Sequence, residues 1–325
     1  MTTRCSAIFG EEFTVHELDF HRENRERLTR AVSCLPDYVD RLKPVGATVA
    51  DLERVHNRRH VRMIEYFSSF EGTHYLDMDT YVNKGSFETA LLAAGSAIRA
   101  AERALDGEHC FALIRPPGHH AEPDRAMGFC LFNNAAVAAA WALEQVDRVA
   151  ILDWDLHHGN GTQKIFYQSD RVLFCSVHMS NAFPGTGWID EIGEGRGLGF
   201  TLNAPIRQGC TIDDYAFLFT SVFSEALGHF RPDLLIVSAG QDPLGDDPMN
   251  GMRLTPQDFR VLTRILMESV DQPLALVLEG GYGPSIGEAV AEIFGALHGE
   301  PVSLPTGSPR ESTVRTAVQL EKVMF

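Results

Sequence analysis

The sequence predicts an α/β fold, a single domain with a central, mostly parallel β-sheet flanked by helices, and three observations carry that reading. Short runs rich in Val, Ile and Leu alternate with longer helical stretches along most of the 325 residues, the order that crossover connections impose on a parallel sheet. The runs lack polar alternation, which fits strands covered on both faces. His, Asp, Gly and Tyr follow run after run, and in open parallel sheets ligands bind just beyond the carboxyl ends of the strands.

Taken in order, an Ala-rich helix over 86–105 leads into a strand at 110–114. A helix over 133–145 precedes the strand 149–153, and 172–177 makes the third strand. The helix at 213–229 has a readable start, because Thr211 and Asp214 place a hydroxyl three residues before a carboxylate. After the strand 234–238, Thr255, Pro256 and Asp258 open a helix over 256–270 in the same way. The last pair is the strand 274–278 and the helix 285–297. No repeat or charge block marks a boundary, so one domain is expected over 1–300. The segment 301–312, rich in Pro, Ser and Thr, reads as a linker, and 313–325 as a short tail able to dock on the same domain as a helix.

Composition narrows the function classes. With 44% hydrophobic and 22% charged residues the chain can bury a large core and is not of disordered type. Its 28 Lys+Arg against 44 Asp+Glu leave a net charge of −16, which argues against direct nucleic-acid binding, since that rests on clustered cations. The acidity permits a cationic substrate or basic partner through long-range attraction. Cys5, Cys34, Cys110, Cys130, Cys175 and Cys210 are scattered singly, as reduced thiols of a cytoplasmic protein would be. The first residues lack the apolar stretch of a signal peptide, and no run approaches the roughly 20 residues of a membrane helix. A cytoplasmic protein without membrane association is expected.

The chemistry collects after the strands. Arg115 to His120 follow the first, Asp153-Trp154-Asp155-Leu156-His157-His158-Gly159-Asn160 the second, His178 the third, Gly240-Gln241-Asp242 the fourth and Glu279-Gly280-Gly281-Tyr282 the fifth. Asp153, Asp155 and His157 are spaced by two, so an extended chain would project all three to one side. Two carboxylates and an imidazole so placed call for a cation or hydrogen-bond donors between them, and a metal site is an economical explanation. Asp155 and His157, joined by Asp242 from the fourth strand, would give three ligands and an open position, the pattern of catalytic zinc. His119 and His120 can supply proton chemistry, with Asp153 orienting one and Asn160 the other. Tyr282, on a Gly-Gly turn, has a phenol able to donate to an oxyanion.

Blander readings compete residue by residue. The lone histidines His16, His56, His60, His74, His229 and His298 read as surface or helix residues. Gly128-Phe129 and 183–187 could be plain core and turn. Asp153 and Asp155 alone could be a structural cation site.

At these residues the sequence resembles the histone deacetylase family, within the arginase/deacetylase-like fold, and specifically its class II and bacterial histone deacetylase-like amidohydrolase branch. The matching motifs, in family order, are RPPGHHA (115–121), GFCLFNNAA (128–136), DWDLHHGNGTQ (153–163), FPGTG (183–187) and LEGGY (278–282). HRENRERL (21–28) also resembles the family's HPExPxRL signature. The resemblance implies that 1–300 is a deacetylase catalytic domain. Asp155, His157 and Asp242 would bind zinc, or iron(II) in its place. Tyr282 would polarise the acyl carbonyl, His120 would be the general base and then acid, and His119 would stabilise charge, with Asp153 and Asn160 behind them. Phe129 and Phe183 would wall a channel for the acyl-lysine stem, Gly128 would offer a carbonyl to its amide, and Arg27 would line the passage used by the released acid. A structural potassium site is implied at Asp153, Asp155, His157, Ser176 and Val177, and a second near Phe166, Ser169 and Val172.

Several positions depart from the pattern. Asn160 stands where class I members carry Asp, which should make His120 less basic. Gln241 replaces the usual residue before Asp242, and 178–183 looks short, altering the channel rim. Met249 occupies the place where polyamine-selective relatives can carry Glu, which weakens a polyamine reading. The function expected is therefore zinc-dependent removal of acetyl or related acyl groups from lysine side chains of proteins or peptides. The alternatives are deacetylation of a small acetylated amine or biosynthetic metabolite, and a catalytically silent acyl-lysine-binding protein. A homo-oligomer is compatible with any of these.

Overall fold

The structure is a computed structural model that describes residues 4–324. Residues 1–3 and 325, at the ends of the expected domain and tail, lie outside the described residues. In chain order the strands are β1 (Cys5–Ile8), β2 (Asp40–Leu42), β3 (Thr73–Tyr75), β4 (Tyr81–Asn83), β5 (His109–Ala112), β6 (Val149–Asp153), β7 (Val172–Met179), β8 (Thr201–Ile206), β9 (Leu234–Ala239) and β10 (Leu274–Leu278). Eight of them form one sheet in the order β2-β1-β5-β10-β9-β6-β7-β8, with every neighbouring pair parallel. β3 and β4 pair separately as an antiparallel hairpin.

The central strands are apolar throughout because both their faces are covered: every residue of β6, β9 and β10 is buried. The helix Ser86–Leu105 lies against β5 and β10, and Asn134–Ala142 against β9 and β6. Their buried faces are mostly alanine, from Ala90 to Ala104 in the first and Ala135 to Ala142 in the second. Such small side chains let a helix settle close to a sheet whose own residues are branched and bulky.

The five expected strands are present, with small differences of extent. Three further strands of the sheet carried no comparable signal. β1 and β2 have four and three residues, and β8, at the opposite edge, contains Asn203 and Pro205, which an edge strand tolerates. β7 runs on to Met179, so His178 lies within the strand rather than after it. The helix expected over 213–229 is broken into Ile212–Leu218 and Ser224–Phe230 by a π turn at Phe219–Phe223. The Ser224 hydroxyl donates to the Phe219 carbonyl at 2.7 Å, satisfying a group that the wider turn would leave loose.

Reading the lone histidines as surface or helix residues is corrected for His16 and His56, which are buried outside any helix. His16 stacks on Tyr81 at 4.4 Å and contacts the Ser86 hydroxyl at 2.7 Å. His56 bridges the Glu122 carbonyl and the Asn133 N–H, both at 2.9 Å. Burial with such neutral partners favours the uncharged ring. At the other end, Asp214 accepts from the backbone of Thr211 at 3.1 Å, of Arg310 at 2.8 Å, and from the Thr313 hydroxyl at 2.6 Å. One carboxylate thus caps a core helix and holds the start of the terminal helix Glu311–Leu320, which lies against β8.

Candidate active site

The carboxyl ends of β5, β10, β9 and β6, the four central strands, open onto one cavity of about 200 Å³. His119, His120, Asp155, His157, Asp242, Gly280 and Tyr282 line it, with Phe129, Phe183, Gly128 and Met249 toward its walls. The sequence segments before them end in buried strands, so each side chain leaves a fixed backbone.

Each carboxylate at the floor is held by backbone donors. Asp155 accepts from the N–H of His157 at 2.9 Å and of Gly280 at 2.7 Å, and Asp242 from Leu156 N–H at 2.9 Å. His157 Nδ1 lies 3.1 Å from Asp155 Oδ1 and 3.1 Å from Asp242 Oδ2. One donor atom from each of the three residues falls within 4.8 Å of the others. Burial raises the Asp242 carboxyl to about 7, and the nearby Asp155 adds to it. Burial alone would lower His157, but hydrogen bonds to Asp155 and Asp242 push it up to about 10. Among the described residues, no Lys or Arg lines the cavity. Two fully buried carboxylates facing one imidazole, with no Lys or Arg beside them, fit a divalent metal bound by oxygen and nitrogen, with room for a further ligand.

The two histidines have different partners. His119 Nδ1 meets Asp153 Oδ2 at 2.9 Å, and its Nε2 is 3.7 Å from Asp155. Burial works against its charge, but Asp155 and Asp153 outweigh it and hold the imidazole well above its ordinary range. His120 Nδ1 meets the neutral Asn160 Oδ1 at 2.8 Å. Burial, then the His119 and His157 rings beside it, keep it well below that range. The ring centroids are 4.0 Å apart, so a charged and an uncharged imidazole stand side by side.

Aromatic rings close the walls. Phe183 meets His120 edge to face at 5.0 Å, and Phe129 meets Tyr282 likewise at 5.9 Å. Gly128 has φ +58, and a Cβ there would come within 2.5 Å of His120 Cδ2 and 2.9 Å of Phe183, so the close approach of backbone to imidazole requires glycine. Arg27 is off the cavity wall: its guanidinium lies 5.1 Å behind the Tyr282 ring and donates to the carbonyls of Glu279, Gly280 and Gly281. Ser176 is paired in register with Asp153, beside Val177. Phe166, Ser169 and Val172 sit at the other end of β7, remote from the cavity. His178 is buried against Ser176 and the Gly187 carbonyl, and Gln241 bonds the Ala239 carbonyl at 2.7 Å without facing the cavity.

Some site residues were given no role from the sequence. Asp79, in the turn between β3 and β4, joins the cavity wall. Glu279, part of the LEGGY motif but given no role there, is buried and accepts from the N–H of Gly118 at 2.7 Å and of His119 at 3.0 Å. Glu23 grips Arg115 through two 2.7 Å bonds, locking the start of the loop that carries both histidines. Asp247 accepts from Tyr282 N–H at 2.6 Å.

Comparison with known proteins places the chain in a family. Residues 21–297 match the family described as the histone deacetylase domain. The chain is 41% identical over 290 residues to a probable deacetylase of Archaeoglobus fulgidus, covering 85% of this chain and 80% of that one. It is 42% identical over 259 residues to the histone deacetylase-like amidohydrolase of Pseudomonas aeruginosa, 76% of this chain and 68% of that one. It spans half or less of several eukaryotic histone deacetylases of similar identity. Its structure is similar to the crystal structure of the HDA15 HD domain, with a TM-score of 0.93, 34% identity, and coverage of 99% of this chain and 94% of that chain.

Proposed function

The chain belongs to the histone deacetylase family, and on that premise we propose that it removes acetyl or related acyl groups from lysine side chains of proteins or peptides, using zinc held by Asp155, His157 and Asp242. The family is hydrolytic and metal-dependent, and the chain is an enzyme of that kind. The observation that carries the finer reading is the convergence of three metal-ligand atoms within 4.8 Å at the floor of a narrow, aromatic-walled cavity.

A bound divalent ion would supply Lewis acidity and lower the pKa of water. The protein's own groups do the rest. His120, uncharged and oriented by Asn160, accepts the proton of the attacking water at Nε2 and returns it to the leaving amine. His119, charged and backed by Asp153, steadies negative charge developing beside it. The Tyr282 hydroxyl donates to the carbonyl oxygen as it becomes an oxyanion, with Arg27 behind its ring. Phe129 and Phe183 enclose the aliphatic stem, Gly128 offers its carbonyl to the substrate amide, and Met249 keeps the wall apolar. A potassium site beside Asp153, Ser176, Val177 and the backbone of Asp155 and His157, and a second near Phe166, Ser169 and Val172, belong to the same proposal. So does the division into a catalytic domain over 1–300 with 301–325 docked on it. Six free cysteines support a cytoplasmic location; no described helix is long and apolar enough to cross a membrane.

The test compares two variants of metal-replete protein on an acetyl-lysine peptide. Asp242→Ala loses metal and turnover together, whereas Tyr282→Phe keeps the metal and loses most turnover; full activity in Tyr282→Phe overturns the oxyanion role. The Asp79 carboxylate on the cavity wall favours a second reading, a small cationic acetylated amine. Comparing kcat/KM for acetyl-lysine peptides and acetylputrescine separates the two, and a peptide preference of about tenfold, roughly 1.4 kcal/mol in transition-state binding, counts against the second.

A further inference from the structure

Glu122 lies two positions after His120, off the cavity wall, yet it touches the group that touches His120. Asn160 is 6% exposed, and its amide has two unlike faces. Its Oδ1 is 2.8 Å from His120 Nδ1. Its Nδ2 lies 3.0 Å from Glu122 Oε1, with the His120 carbonyl and Met127 Sδ more distant at 3.4 Å each. All three neighbours of Nδ2 are acceptors, and the carboxylate is the one that is charged and within ordinary hydrogen-bond length. The other oxygen of Glu122 takes Lys164 Nζ at 2.7 Å, which fixes the carboxylate in place.

The consequence is a chain of forced choices. A carboxylate cannot donate, so the NH₂ of Asn160 must face Glu122. The amide oxygen must then face His120, and His120 Nδ1 must carry a hydrogen. The lone pair is left on Nε2. An aspartate at 160 would accept from His120 in either orientation; an asparagine needs a neighbour to choose for it.

We propose that Glu122 is a positioning residue for proton transfer at His120, setting the orientation of Asn160 and, through it, the imidazole tautomer that leaves Nε2 unprotonated. The proposal rests on the reading of His120 as general base and adds the group that prepares it.

The test uses E122K, E122Q, N160D and the double form E122K/N160D, each as full-length, metal-loaded protein. Three quantities are measured: kcat and KM on an acetyl-lysine peptide, metal content, and the ¹⁵N imidazole signals of His120. The lysine introduced by E122K can only donate, so it draws Oδ1 of Asn160 toward itself and turns the NH₂ onto His120. The His120 signals should switch tautomer, and kcat should fall about 100-fold, the usual scale for losing a general base, with KM and metal content within about twofold. In the N160D background the same lysine meets a carboxylate, and E122K should change kcat by less than about threefold. E122Q, which both accepts and donates, should show a second His120 tautomer and lose about two- to fivefold in kcat; it carries the test if E122K does not fold. Equal losses from E122K in both backgrounds, or an unchanged His120 tautomer, overturn the proposal. A tautomer switch in a protein whose parent form hydrolyses no acyl amide supports the positioning and overturns the assignment of His120 as base.

Discussion

Glu23→Gln is a sharp probe of how the cavity is held together. The Glu23 side chain is 1% exposed and takes Arg115 Nε and Nη2 at 2.7 Å each and Arg27 Nη1 at 3.2 Å. Glutamine keeps the shape but removes the charge shared by two buried guanidinium groups, leaving Arg115 with Glu17 at 3.2 Å. Breaking a buried pair in this way costs about 3–5 kcal/mol, and the surviving amide carbonyl sets the expectation near the lower end. The acid constant gives an independent figure. Burial would raise the Glu23 carboxyl, yet Arg115 and then Arg27 hold it at about 2 instead of 4.5, a difference of roughly 3 kcal/mol. With an unfolding entropy of about 0.7 kcal/mol/K for a chain of 325 residues, the loss amounts to a Tm lower by about 4 °C. Differential scanning calorimetry at pH 7 measures it, with Glu26→Gln as control. Glu26 faces Arg30 at 4.0 Å with 81% of its side chain exposed, and its loss should move Tm by less than about 1 °C. Because the folded carboxyl is depressed, its contribution is complete above pH 4.5 and fades as the pH falls toward 2. The gap between parent and variant must therefore close on acidification. A drop below 1 °C at pH 7, or a gap constant from pH 5 to 3, would refute the reasoning.

Other outcomes follow from the same geometry. Gly128→Ala, which thrusts a methyl at His120 and Phe183 from a left-handed residue, should lower kcat/KM at least about tenfold by obstructing the channel, read as steady-state kinetics beside a loss of unfolding free energy of roughly 1–2 kcal/mol. Burial holds His16 and His56 at about 3 and His109 at about 4, so the unfolded chain binds protons that the folded one refuses; stability should fall by about 1 kcal/mol per pH unit per histidine from pH 6.5 downward, seen in urea titrations at pH 7, 6 and 5. Of the six thiols, Cys34 alone is exposed, so a thiol reagent should label one rapidly in the native protein and six after denaturation.

Legibility tracked how much local physics each element carried. β6 and β10 could be bounded to the residue because an apolar run ends abruptly at charged or Pro positions, Arg148 and Asp153-Trp154 for one, Pro273 and Glu279 for the other. β1 and β2 are too short for periodicity to accumulate, and Pro205 disguises β8. In the site, Asp155, His157 and Asp242 stood out as polar groups directly after buried strands. Asp79, Glu23 and Glu122 did not, because an acidic residue in a loop is ordinarily solvated, and only tertiary placement shows Asp79 on the cavity wall or Glu23 beneath Arg115. The fate of His16 and His56 was hidden for the same reason, since their partners Ser86 and Asn133 are 70 and 77 residues away.

The strand order also has a bearing on how the molecule is made. β10, made after every other strand, is the one that joins β5 to β9. Without it, β2-β1-β5 and β9-β6-β7-β8 share no strand pairing. Asp155, His157 and Asp242 all belong to the second half, whereas His119 and His120 follow β5 in the first. At about 5–20 residues per second, the stretch from Asp242, the last ligand, to Leu278, the end of β10, takes roughly 2–7 s of synthesis. His119 and His120 are made before any of the three ligands, so what is still missing when Asp242 appears is β10, the strand that brings the acid–base pair and the ligands together.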